Sequence, residues 1–262
     1  MDHDLLHLLL LTFVAAIIAD VSMAFGVVPF FFIKDMSQKL TGMFSAAAGG
    51  MMAAASLVQL VGEGLDRAPG WRGWEVAAGL AAGAAFYWMA VKRISSNGDF
   101  DIANLRKSGG TRALLIVAAM TVHSLPEGVA IGVAFGADYQ ADGGLPTLGV
   151  SIASALAVHN IPEAIAITLA LMAAGLSVRA CLFWALFTSL PQPLAAPFAA
   201  WFIWIFEPLL PFGMGLAAGA MVFLVVDDLI PEALEKASST AVSIAFVGGV
   251  VAMIVLGRLV GL

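Results

Sequence analysis

Residues His123–Ala130 read HSLPEGVA, and His159–Ala166 read HNIPEAIA. Each stretch puts an imidazole, a proline and a carboxylate inside a long apolar run. On a helix, His123 and Glu127 stand one turn apart on one face, and His159 and Glu163 repeat the arrangement. Titratable groups at such depth are costly in a bilayer, and they face a cavity, a pathway or one another.

The chain around them is built for a bilayer. Of its 262 residues 61% are hydrophobic and 11% charged, with a mean hydropathy of +0.98. A soluble domain is about half apolar and a quarter charged. The length suits a single transmembrane transporter domain over 1–262. The N-terminal MDHDLLH is acidic where a signal peptide is basic, and the apolar run after it is too long for an h-region. That run is therefore expected to stay as the first span. The lone cysteine, Cys181, excludes an internal disulfide and a cysteine-based metal cluster, and behaves as a small hydrophobe. Net charge is −6, and no basic tract suggests a nucleic-acid partner.

About 20 apolar residues cross the hydrocarbon core as a helix. Eight such runs are expected, at approximately 5–33, 41–62, 73–92, 112–136, 147–174, 179–204, 209–231 and 240–261, an all-α polytopic bundle. Polar, glycine and proline clusters separate them, KDMSQK and DRAPGWRG among them. Lys34, Lys39, Lys92, Arg93, Arg106, Lys107, Arg112, Arg179 and Lys236 fall on one side; Arg67, Arg72 and Arg258 fall on the other. The positive-inside rule puts the first set in the cytoplasm and both termini outside.

Within the spans lie Asp20, His123, Glu127, His159, Glu163, Asp227 and Asp228, with Glu63, Glu232 and Glu235 near span ends. No lysine or arginine occupies mid-membrane, so an external cation is the natural counter-charge. Residues 112 to 123 and 147 to 159 are each about a dozen residues, ~18 Å of helix. The two spans run antiparallel, so both histidines sit near the midplane, and two imidazoles and two carboxylates can meet between adjacent helices. Nitrogen and oxygen donors of this kind suit zinc, iron or manganese-like dications. Pro126 and Pro162 each free a carbonyl four residues back, at Val122 and Val158, which a membrane tolerates where it lines a cavity.

These motifs resemble the fourth and fifth spans of the ZIP family of metal transporters. AAAGGMMAAAS (46–56) resembles the family's second span, SLPQPLAAP (189–197) its sixth, and MVFLVVDDLIPEA (221–233) its seventh. The resemblance implies zinc, iron, manganese or cadmium carried into the cytoplasm. It also implies a binuclear site. One half would use His123, Glu127, His159 and Glu163, with Met52 nearby. The other would share the glutamates and add Ser124, Asn160 and Gln192. Two positions depart from the pattern: residue 124 is usually Asn, and residue 192 is usually Glu. The resemblance further implies an elevator-like sliding of spans one, four, five and six against two, three, seven and eight.

Two readings are open for Asp20: a carboxylate that replaces the missing Glu, or a protonated side chain bonded to a backbone or serine. Asp227 and Asp228 are expected along the inner pathway. Glu63 and Asp66 are expected either to gather cations at the entrance or to face solvent. Rival functions are an intramembrane metallohydrolase and a proton conductor. The first needs a general base, commonly within His-Glu-x-x-His, a motif this chain lacks. A transporter, not an enzyme, is expected, and the metal is cargo with no cofactor beside it. The expected partners are the divalent ion, the lipid bilayer and a second copy as a homodimer, with no nucleic acid. The expected location is the plasma or inner cell membrane.

Overall fold

A computed structural model describes residues 3–33, 36–68, 70–96, 109–140 and 146–260. The described residues form helices: α1 (His3–Val27), α2 (Gln38–Ala54), α3 (Val61–Arg67), α4 (Trp74–Ser96), α5 (Gly109–Gln140), α6 (Thr147–Ala173), α7 (Val178–Ser189), α8 (Pro191–Ile205), α9 (Leu210–Leu224), α10 (Ile230–Lys236) and α11 (Ser239–Val260). Among them, Asp4–Phe31, Gln38–Arg67, Thr147–Met172, Leu210–Lys236 and Ser239–Leu259 are long and apolar enough to cross a membrane. The runs expected at 73–92 and 112–136 lie in α4 and α5. Most of the loop 93–111, with Arg106 and Lys107, lies outside the described residues, as do Lys34 and residues 141–145.

Local chemistry ends these helices where the sequence changes. Ser37 accepts a hydrogen bond from Leu40 N (3.3 Å) and opens α2; Ser177 does the same for Ala180 N at α7 (3.3 Å). Gly175, at φ +92°, closes α6 with the paired bonds Leu176 N to Leu171 O and Gly175 N to Met172 O.

The run expected at 179–204 is two helices, interrupted at Leu190. Pro191 has no N–H to continue α7, and its fixed φ suits the first turn of α8 instead. Two spans are also widened by an extra residue in one turn. Ala55–Leu60 continues α2 as a π-helical turn, and Val225–Leu229 continues α9 in the same way.

The helices sort into two blocks. α1, α5, α6, α7 and α8 pack on one another, and α2, α4, α9, α10 and α11 form the second set. Small residues set the approach. A Cβ on Gly132 would lie 2.1 Å from Ala196 O, and one on Gly128 2.6 Å from Gln192 O, so α5 and α8 touch backbone to backbone. Gly83 against Leu216 O and Gly50 against Phe246 O do the same for α4–α9 and α2–α11. Large apolar side chains such as Phe25, Leu194, Phe198, Ile244 and Leu259 lie exposed, as the outer face of a membrane bundle requires.

Candidate metal site

Glu127 comes from the middle of α5, and His159 and Glu163 come one turn apart from the middle of α6. All three are buried, at 0%, 1% and 4% exposure. His159 Nε2 lies 3.3 Å from Glu127 Oε1 and 3.5 Å from Glu163 Oε2. Ligands bound ~2.0–2.1 Å from a tetrahedral zinc stand roughly 3.4 Å from one another, so these spacings fit atoms that share one ion. One ligand atom from each of the three lies within 4.8 Å of the others. No lysine or arginine is buried among the described residues. His123 lies on α5 one turn before Glu127, and its side chain is outside the described residues.

A hydrogen-bonded layer backs the cluster. Asn160, fully buried, donates through Nδ2 to Ala19 O (2.7 Å) and to Gln192 Oε1 (3.3 Å). Gln192, also fully buried, donates through Nε2 to Glu127 Oε2. The break at Pro191 is what turns Gln192 inward, on the first turn of α8. Ser124 is buried and donates back to Met120 O (3.1 Å). Met52 is buried on α2, just before the π-helical turn.

Asp20 is buried and accepts from Ser189 Oγ. It is outside the three-residue cluster. Ser189 was not singled out from sequence; a polar residue beside Pro191 in an apolar span was its signal.

Two openings flank the site. A cavity of about 260 Å³ is lined by Glu163, Asp228 and Glu232, with Ser45 and Met120. It joins the cluster to the end of the bundle that carries α10. Asp228 Oδ2 accepts from Tyr87 Oη (3.1 Å), Glu232 is paired with Lys236, and Asp227 is exposed. At the opposite end a cleft of about 360 Å³ is lined by Gln59, Glu63, Asp66, Leu148 and Arg258. Glu63 is held by Arg67 Nε at 2.6 Å, and Arg67 also donates to Ala137 O (2.9 Å). Sequence reading used Arg67 only for orientation. Nearby, Asp138 accepts from Leu148 N and Gly149 N and so caps α6. Burial pushes its carboxyl above the ordinary range, against the pull of those two donors.

A bundle of long apolar helices around a buried His/Glu cluster is the architecture of a multi-pass membrane protein. Residues 100–257 match the family described as ZIP Zinc transporter. The chain is 33% identical over 247 residues to the zinc transporter GufA of Myxococcus xanthus, covering 89% of this chain and 94% of that one. A chain of Arabidopsis thaliana is 36% identical over 235 residues, 89% of this chain and 36% of its own length. The human zinc transporter ZIP11 is 42% identical over 153 residues, 57% of this chain and 45% of its own. The chain belongs to the ZIP family. It spans between about a third and a half of the Arabidopsis and human relatives.

Proposed function

We propose that this chain carries divalent transition-metal cations across the cell membrane into the cytoplasm, zinc first, with iron, manganese and cadmium within reach of the same donors. The observation that carries the reading is the buried cluster of Glu127, His159 and Glu163, at ligand spacing and beside a cavity lined by two further carboxylates. His123 completes the site from α5, and Met52 faces it from α2. Asp228, Glu232 and Asp227 take the ion onward; Glu63 and Asp66 lie at the entrance. The whole chain acts as one transporter domain with eight crossings and both termini outside. Its partners are the ion, lipid and a second copy of the chain.

Movement is of the elevator type, with α1 and α5–α8 sliding past the other block. The glycine seats support this. Among the described residues, every glycine whose Cβ would fall within 3 Å of another helix's backbone joins two helices of the same block. Between the blocks, Gly213 meets only the methyl ends of Ile203 and Val133. Backbone-to-backbone seats lock helices together, whereas side-chain surfaces can slide.

The test is uptake by the purified chain in liposomes containing a zinc-sensitive dye. The parent should admit Zn²⁺, and folded Glu163→Ala should not. Equal uptake by both would remove the cluster from the pathway.

A further inference from the structure

Deepening that reading, and resting on it, we infer that Asn160 and Gln192 are positioning residues rather than metal ligands, and that the site holds a single ion. The argument is one of donors and acceptors. Ala19 O is a backbone carbonyl and can only accept, so the atom of Asn160 that meets it at 2.7 Å must be the N–H₂ group. The same group faces Gln192 at 3.3 Å, so Gln192 presents its oxygen there. Its own N–H₂ group is then turned to Glu127 Oε2. The amide orientation of both side chains is thus set by a backbone atom three hydrogen bonds away from Glu127.

The consequence falls on Glu127. One of its oxygens, Oε2, takes a hydrogen bond from Gln192, and the other, Oε1, is the one at 3.3 Å from His159 Nε2. A second cation sharing Glu127 would need Oε2, where an N–H donor already points. A donor repels a cation where a carboxylate would hold it. Nor can the charge carry two ions. Glu127 and Glu163 offer −2, enough for one dication. A second would leave +2, and two dications a few ångströms apart repel by several kcal/mol even at an effective dielectric of ~20. The chain of bonds from α1 through α6 and α8 to α5 therefore aims Glu127 at one ion.

The experiment counts Zn²⁺ on the purified full chain in detergent by equilibrium dialysis and elemental analysis. The parent should hold one Zn²⁺ per chain, lost in His159→Ala. Gln192→Glu, which replaces the donor with a carboxylate, should hold two. Gln192→Leu should keep one, bound about tenfold more weakly, as loss of a group that orients a ligand typically does. Its Co²⁺-loaded visible spectrum should also shift, because Glu127 is freed to offer both oxygens; a merely structural loss would leave it unchanged. Two ions on the parent, one of them lost in Gln192→Leu, would overturn the inference and leave the site reading intact. An ion that survives His159→Ala would overturn both. The count on the parent decides the matter even where a variant does not fold.

Discussion

His159 is the residue on which the site turns, because among the described residues it approaches both carboxylates, at 3.3 and 3.5 Å. Removing it takes away the imidazole that lies between the two buried glutamates. His159→Ala should lower Zn²⁺ uptake at least a hundredfold while the protein still elutes as a folded species from a sizing column. Protonation should act in the same direction. Ligation needs a neutral imidazole and ionised carboxylates, and protons compete for both. Ordinary histidine titrates near ~6.5 and glutamate near ~4.3. Zn²⁺ affinity, measured against a competing chelator from pH 5 to 8, should be nearly level above about pH 7 and fall steadily below about pH 6. A level profile throughout would exclude the histidines as ligands. These residues were legible from sequence because i and i+4 spacing survives any packing. The role of Gln192 was not, because the atom it presents depends on a carbonyl of α1 that no local pattern reveals.

At the scale of the elements, the apolar runs marked where helices lie, but not where they break. SLPQPLAAP has three prolines, and only Pro191 interrupts a helix. Pro193 falls in the first turn of α8, where a missing N–H costs nothing, and Pro197 is carried inside it. Pro126 likewise sits within a continuous α5. The π-helical turns left no mark in composition, since one added residue per turn is a matter of packing, not propensity. Glycine is scattered through the apolar runs, and the structure separates those seated against a neighbouring backbone from those in open space. On α5, Gly132→Leu drives a side chain into Ala196 O and should cost about 3 kcal/mol or more, as severe overpacking does. Gly248→Leu on α11 meets open space and should stay within about 0.5 kcal/mol. Thermal unfolding in detergent separates the two; equal melting temperatures would mean that α5 and α8 are not seated on glycine.

The whole molecule is unevenly tied across the boundary between its blocks. At the end that carries Glu63, Arg67 of α3 donates to Ala137 O of α5 (2.9 Å), and Gln59 Nε2 donates to Ser151 Oγ of α6 (3.4 Å). At the other end the boundary opens into the cavity that reaches Glu163. Closure at one end and access at the other is what one station of an alternating cycle requires. On the proposed sliding movement the Arg67 bond, whose guanidinium is held by Glu63 at 2.6 Å, must break, and it would bias the molecule toward the state open at Asp228. A half-exposed hydrogen bond of this kind contributes about 1 kcal/mol, so losing it should raise the opposite state about fivefold. Ala155 of α6 is buried one turn from both Ser151 and His159, against Met51 and Met253 of the other block. A cysteine at that position, in a Cys181→Ser background, should react with an impermeant thiol reagent slowly from the Glu63 side. With Arg67→Ala added, the rate should rise about fivefold, and Arg67→Lys should lie between, since an ammonium keeps the charge but not the fork that serves Glu63 and Ala137 together. An unchanged rate in Arg67→Ala would mean that the bond does not hold this end closed, and that the apolar core across the boundary alone sets the balance.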